Sequence, residues 1–146
     1  DATRDVRTEL IRQLASRVTV EVPNALVTAE IERRVEHLVR HMLGQRIDPR
    51  RANIDWDAFR EQQRGSATEA VRGSLVLDEI ATRESLDVDE TDLETEYARQ
   101  AERSGRTPSA VRALVDKEDG VGRLMDGLRR EKAIDFLLAR ATIVTA

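Results

Sequence analysis

Two histidines are the residues of this sequence best spaced to bind a metal ion. His37 and His41 lie four residues apart, which places both imidazole rings on one face of a helix, as in zinc proteases. Those proteases need a glutamate directly after the first histidine, and Leu38 occupies that position. Because no suitable third ligand lies next to the pair, we interpret both histidines as polar residues on a solvated helix face. We predict neither a metal nor another cofactor.

Acid–base and nucleophilic catalysis are also poorly supported. Glu30 and Glu79 adjoin apolar stripes, a setting in which a carboxylate can become a catalyst. Most helical glutamates near basic residues form only weak surface pairs, however. The sequence has no cysteine, no serine in a nucleophile elbow and no glycine-rich loop after a strand. We therefore predict that these residues do not form an enzyme.

The composition favours helices over sheets. The chain has 146 residues, of which 40% are apolar but only 3% aromatic, so its core must consist of Leu, Val, Ile and Ala. Charged residues make up 36%, against about a quarter in ordinary globular domains. So much charge on a chain of one-domain length predicts an elongated, all-helical molecule.

The charge pattern argues against nucleic acid and membrane as partners. The net charge is −4, and acidic and basic residues alternate along nearly every segment, so no basic face is expected. No apolar run approaches the ~20 residues that span a bilayer. The absence of cysteine fits a reducing compartment, and we predict a cytoplasmic location. Since the sequence starts at Asp1 and not at Met, we expect it to be part of a longer chain.

The first third of the chain predicts two helices separated by a short extended segment. Apolar residues at helical spacing predict a helix over 3–17, and alternating valines predict a β-like connector over 18–22. Pro23 is expected in the first turn of the next helix, which runs over 24–43. Gly44 is expected to end that helix as a left-handed cap.

A polar turn over 45–53 precedes the longest predicted helix. Asp55 is a good N-cap, and the pattern extends from there to about residue 85. Gly65 and Gly73 each cost about 1 kcal/mol inside a helix, so these are the positions where a break is expected.

The last third predicts three further helices. One begins at Asp89 and stops near Gly105, and the pair Thr107-Pro108 opens a short second one. The third covers roughly 119–141, and residues 142–144 are expected to form a short strand.

The positions of the large apolar residues predict a body with two projecting helical hairpins. We assign residues 1–22, 71–88 and 133–146 to the body, 23–70 to arm one and 89–132 to arm two. Each arm has a polar or small-residue middle and an apolar far end. A hairpin tip has little protein around it, so we expect its apolar side chains to be partly exposed, as at interaction sites.

The tips therefore supply the candidate binding residues. They are Met42, Leu43, Ile47, Trp56 and Phe59 in arm one, and Val111, Leu114, Val115, Leu124, Met125 and Leu128 in arm two. The plainer interpretation is that these side chains only close the ends of their own hairpins. In the functional interpretation they also contact a partner, and methionine is adaptable enough for varied partners.

Three stretches of the sequence resemble the C-terminal domain of bacterial trigger factor, the ribosome-associated chaperone. Residues 20–27, VEVPNALV, followed by Glu30-Ile31, resemble the entry to that domain's first arm. Residues 70–81, AVRGSLVLDEIA, resemble its long return helix, and residues 131–141, EKAIDFLLARA, resemble its closing helix. The likeness covers nearly the whole chain in the correct order.

The resemblance implies an all-helical body with two arms that form a cradle for unfolded or nascent polypeptide. It implies a chaperone that works without ATP and binds clients through apolar patches. The family's ribosome-docking and prolyl isomerase domains are expected to be absent from this chain, so neither activity is transferred to it. The alternative is an oligomerisation module whose arm tips bury against a second copy of the chain.

Overall fold

The chain folds into helices joined by short turns. A computed structural model describes residues 2–141 and contains six helices: α1 (Ala2–Arg17), α2 (Asn24–Gly44), α3 (Trp56–Arg83), α4 (Glu90–Ser104), α5 (Pro108–Lys117) and α6 (Val121–Leu138). No strand occurs within residues 2–141. The predicted all-α class is therefore confirmed.

The helices divide into two compact units, which we describe separately. Unit 1 is Asp1–Val76 and unit 2 is Leu77–Ala146, so the boundary falls within α3. Unit 1 contains 13 basic and 12 acidic residues, whereas unit 2 contains 11 basic and 16 acidic residues. The formal charges are thus +1 and −5. The finer division into a body and two arms stays a prediction.

In unit 1, α2 and α3 pack through small and β-branched residues. Val27, Ile31 and Ala67 form a buried cluster, with Val22 packed against it. Ala67 is completely buried. Because no apolar residue larger than alanine occurs between positions 60 and 69, this part of α3 can offer α2 only a narrow apolar contact.

Guanidinium groups add polar bonds between the same two helices. Arg34 donates to Gln63 Oε1 at 2.9 Å and to Ser66 Oγ at 2.5 Å, and it also donates to Glu30 at 3.0 Å within α2. Arg60 on α3 donates to Glu32 at 2.7 Å, which lowers the pKa of the Glu32 carboxyl below its usual range. Polar bonds thus supplement the narrow apolar contact.

Helix α3 runs without interruption through both of its glycines, so neither position produces a break. At Gly73 the missing side chain has a packing role, because an added Cβ would lie 2.7 Å from Ile11 Cγ2 of α1. At Gly65 nothing lies within 4 Å of such an atom. Close packing of α1 therefore accounts for Gly73, and the helix tolerates the conformational cost of Gly65.

In unit 2 an apolar cluster joins α4 to α5. Leu93, Tyr97 and Ala101 of α4 pack against Val111 of α5, all of them buried. The intervening turn is set by Gly105, where the sequence predicts the end of the helix and where a φ of 66° forms a left-handed cap.

The helix starts of unit 2 also agree with the sequence. Asp89 and Asp92 exchange side-chain to backbone hydrogen bonds of 2.9 Å at the start of α4. Thr107 accepts from the Ala110 amide at 3.2 Å, with Pro108 in the first turn of α5. In unit 1, Asp55 caps α3 through the Ala58 amide at 2.9 Å.

Ion pairs connect α6 to the rest of unit 2. Arg130 makes two hydrogen bonds to Asp78, of 2.7 and 2.9 Å, and these raise the Arg130 pKa. Lys132 donates to Asp92 at 2.6 Å and to the Asp87 carbonyl at 2.7 Å. The bond from Lys132 and the one from the Asp89 amide lower the pKa of Asp92.

Several predicted element ends are wrong. Gly44 was predicted to be the left-handed cap of α2, but it is the last residue of the helix. Arg46, with a φ of 61°, adopts the left-handed conformation instead. Pro23 is the N-cap and lies just before the first turn. Residues 18–22 are irregular, and α6 ends at Leu138. The strand predicted over 142–144 lies outside the described residues.

Candidate functional site

The turn between α2 and α3 carries exposed apolar side chains in unit 1. Leu43 is 58% exposed and Ile47 is 42% exposed. Trp56 and Phe59, at the start of α3, are half-buried and meet edge to face with their ring centroids 6.3 Å apart. Four of the five residues predicted at this tip therefore keep contact with water.

Met42, the fifth residue predicted at this tip, is buried, so the exposure expected of it is wrong. The chain turns back at the end of α2, and the Ile47 amide donates to the Met42 carbonyl at 2.9 Å. Arg46 makes this return possible by adopting a positive φ. The turn therefore holds Met42 in the packing of the tip, and its neighbours Leu43 and Ile47 provide the exposed surface.

An open groove of about 630 Å³ runs along α2 and α3 in unit 1. We call it the α2–α3 groove, and its lining consists of Glu30, Arg33, Arg34, His37, Leu38, His41, Phe59 and Gln63. Its apolar lining comes from Leu38 and Phe59. The charged lining comprises two guanidinium groups and one carboxylate, with two histidines beside them.

In unit 2, five predicted residues surround the core at its edge. Val115, Leu124 and Leu128 are half-buried and pack against the Leu93–Tyr97 cluster. Leu114 is 39% exposed and Met125 is 36% exposed. Val111 is only 5% exposed because it lies inside that cluster, so the exposure expected of it is wrong.

A second groove, of about 440 Å³, lies on the same side of this cluster as Val115, Leu124 and Leu128. We call it the α4–α6 groove, and its lining consists of Glu96, Arg99, Val115, Glu118, Gly120, Arg123, Leu124, Gly127, Leu128 and Glu131. Three predicted binding residues thus share one groove. Glu96 is buried and accepts two hydrogen bonds from Arg99, of 2.8 and 2.9 Å.

The side chains that line the two grooves are of mixed chemical type. Within residues 2–141, no group of three or more histidine or acidic side chains is arranged to hold a metal ion. His41 contacts the Gln45 amide nitrogen at 3.1 Å. Both grooves combine apolar side chains with charged groups.

No helix in the described part of the chain is both long enough and apolar enough to cross a bilayer. This finding concerns residues 2–141 alone.

Comparison with known proteins places the chain in a family. The family described as bacterial trigger factor protein C-terminus matches residues 1–139. The chain belongs to the trigger factor C-terminal family. The predicted resemblance is therefore confirmed.

Individual trigger factors support this assignment. That of Anaeromyxobacter dehalogenans is 33% identical over 142 residues, covering 97% of this chain and 33% of the relative. That of Solibacter usitatus is 28% identical over 141 residues, again covering 97% and 33%. The chain thus spans about a third of the length of these curated relatives.

A solved structure of trigger factor domains from Thermotoga maritima has the same fold. Its TM-score is 0.70 at 20% sequence identity, with 95% of this chain and 83% of that chain covered.

The sequence pattern did not identify the charged residues of the two grooves as part of a site. Arg33 and Arg34 line the α2–α3 groove, and Glu118 and Arg123 line the α4–α6 groove. Leu38 lines the α2–α3 groove and is likewise absent from the predicted binding residues. A signal was present, since Leu38 lies one position after His37 and four after Arg34, on adjoining faces of one helix.

Proposed function

We propose that this chain is a chaperone module that binds unfolded or nascent polypeptides without ATP, metal or another cofactor. The observation that carries the proposal is the exposure of large apolar side chains near helix ends in both units, at Leu43, Ile47, Leu114 and Met125. Apolar surface left in water usually marks an interaction site. Membership in the trigger factor C-terminal family supports a polypeptide as the partner.

Binding of this kind needs no covalent step. When an exposed residue contacts a client, only a small apolar area is buried, so a single contact is weak. Several contacts on one client reinforce each other, because the first holds the others at high effective concentration. The surrounding charged residues, 36% of the chain, keep the chaperone itself from aggregating.

We place this activity in the cytoplasm, on the basis of the resemblance and the absence of cysteine. Ribosome docking and prolyl isomerisation are not assigned to these residues. Nucleic acid and membrane are not proposed as partners.

Trp56 provides a test. Titration with a chemically unfolded polypeptide should change Trp56 emission, and the chain should delay aggregation of the same client. The double variant L43S/I47S should weaken binding at least fivefold, because it removes about 1 kcal/mol or more of apolar burial. L26S is the matched control, since Leu26 is also on α2 and 43% exposed but lies near the other end of the helix.

No spectral change together with no delay of aggregation would contradict the proposal. Equal weakening by L26S would show that binding does not depend on the α2–α3 tip.

The alternative proposal is a self-association module. The same exposed side chains that suit a client also suit a second copy of the chain. Sedimentation over a range of concentrations separates the two. A permanent dimer that persists on dilution, and from which unfolded client cannot displace one copy, would favour this alternative.

A further inference from the structure

We propose that the α2–α3 groove selects apolar polypeptide segments that carry acidic side chains. This inference rests on the proposed function and adds to it the class of client segment that one groove takes. Three features of the molecule support it: the charge of the groove, the availability of its cationic groups and the contrast with the α4–α6 groove.

The ionised groups of the α2–α3 groove leave an excess of positive charge. Arg33 and Arg34 both contact the single carboxylate of Glu30. One carboxylate neutralises only one guanidinium, so the formal charge of the lining is +1 with both histidines counted as neutral.

The two arginines differ in how available they are. Arg34 is occupied by Glu30, Gln63 and Ser66, and its side chain is 27% exposed, so it serves to connect the helices. Arg33 has a side-chain exposure of 63% and no partner besides Glu30 among the described residues. Arg33 is therefore the guanidinium best able to reach the carboxylate of a bound segment.

His37 adds a second hydrogen-bonding group to this edge of the groove. It is exposed and has no hydrogen bond within residues 2–141. An imidazole donates a hydrogen bond to a carboxylate in its neutral form and adds charge in its protonated form. Leu38 and Phe59 supply the apolar part of the lining. A segment with both apolar and acidic residues satisfies all of these groups.

The α4–α6 groove has the opposite balance. Three carboxylates and two guanidinium groups give its lining a formal charge of −1, and Glu96 already binds Arg99. Glu118 has no hydrogen bond or ion pair from its side chain within the described residues. The grooves therefore differ in charge in the same direction as the units that contain them, +1 against −5.

Among clients with the same apolar residues, charge determines which one the α2–α3 groove binds more tightly. An exposed ion pair contributes roughly 0.2–1 kcal/mol, so a single pair changes affinity by up to about fivefold. Salt should reduce the discrimination, since charges in an open groove are screened. The apolar contribution should remain.

The test uses two peptides of the same length and apolar residues, one carrying two glutamates and the other two lysines. Affinity for the groove itself is read from the amide NMR signals of Leu38 and Phe59 in the full chain. We expect the acidic peptide to bind the groove about fivefold more tightly at low salt. R33E should abolish or reverse this preference, and H37Q should reduce it.

R40E is the matched control, because Arg40 is on the same helix, 79% exposed, and outside the groove lining. It should leave the ratio of the two affinities unchanged. Equal affinities of the two peptides for the wild-type groove, read from the Leu38 and Phe59 signals, would overturn the inference and leave the proposed function intact. So would a preference that R33E does not alter. Absence of binding by either peptide, together with no effect on client aggregation, would overturn both.

Discussion

In unit 1 the contact between α2 and α3 is centred on Ala67, and Arg34 spans the two helices with hydrogen bonds to Gln63 and Ser66. In unit 2 the contact between α4 and α5 encloses Tyr97 and its apolar neighbours. One pair of helices is thus joined by a small residue and polar bonds, and the other by a cluster of large apolar side chains.

The two units also differ in what they leave exposed. The middle of α3 has only alanine to bury, and at the turn between α2 and α3 the side chains of Leu43 and Ile47 face water. Unit 2 uses Leu93, Tyr97 and Val111 for its core, so only residues at the edge of the cluster remain for binding. The candidate surface of unit 1 is therefore a tip, and that of unit 2 is the rim of a core.

The largest expected effect tests the apolar core of unit 2. Y97A removes a side chain that is 3% exposed and should destabilise the unit by about 3–5 kcal/mol, as for other large aromatic truncations. Urea unfolding measures the total loss, and hydrogen exchange of the α4 and α5 amides locates it. The control L114A truncates a side chain that is 39% exposed and should cost less than about 1 kcal/mol.

If Y97A and L114A had similar effects, the cluster would not be the main source of stability in unit 2. The contrast between the two units would then fail.

The second prediction concerns close packing in unit 1. G73A adds a methyl group 2.7 Å from Ile11 Cγ2, and overpacking of this kind costs roughly 1–3 kcal/mol. The helical preference of alanine offsets about 1 kcal/mol of this cost, so a net loss of up to about 2 kcal/mol is expected. G65A, in the same helix with nothing within 4 Å, should raise the stability by up to about 1 kcal/mol.

Thermal unfolding of both variants, followed by Trp56 emission, provides the comparison. Stabilisation by both substitutions would mean that α1 does not pack closely at Gly73. I11A combined with G73A should recover part of the packing strain, because it removes the Cγ2 atom that the new methyl group meets.

Local signals in the sequence predicted most helix starts correctly. Asp55 and Thr107 were expected to cap helices, and each accepts the hydrogen bond that a cap requires. Asp89 was expected to begin a helix, and it is the N-cap of α4. Gly105 was expected to end α4, and it does. These features depend on residues within one turn of each other, so the sequence contains all the information they need.

Features that depend on distant parts of the chain were not predictable in this way. One local feature was also missed: the left-handed position at the end of α2 belongs to Arg46 and not to Gly44, and the Ile47 amide bonds back to the Met42 carbonyl. The burial of Val111 depends on its contact with α4. The bonds from Arg34 to α3 join residues about 30 positions apart, a distance at which helical spacing gives no signal.

The smallest expected effect is a pH dependence carried by one carboxylate of unit 2. Hydrogen bonds from Lys132 and from the Asp89 amide lower the pKa of Asp92 in the folded chain. A lowered folded-state pKa contributes stability above the unfolded-state value, about 3.9, and that contribution is lost as the pH falls through the folded-state value. Acid should therefore weaken the start of α4 and its contact with α6.

Urea unfolding of the wild type and D92N across this range measures the contribution. D92N should be less stable near neutral pH, and the difference should shrink below about pH 4, since Asp92 is then increasingly protonated in the wild type as well. E94Q is the control: Glu94 is exposed, lies two residues further along α4 and has no side-chain partner within the described residues, so its profile should follow that of the wild type. If the loss of unfolding free energy in D92N stayed the same in acid, Asp92 would stabilise the unit through the geometry of its hydrogen bonds and not through its charge. The acid sensitivity of unit 2 would then have to come from another ion pair, and Arg130 with Asp78 is the next one to test.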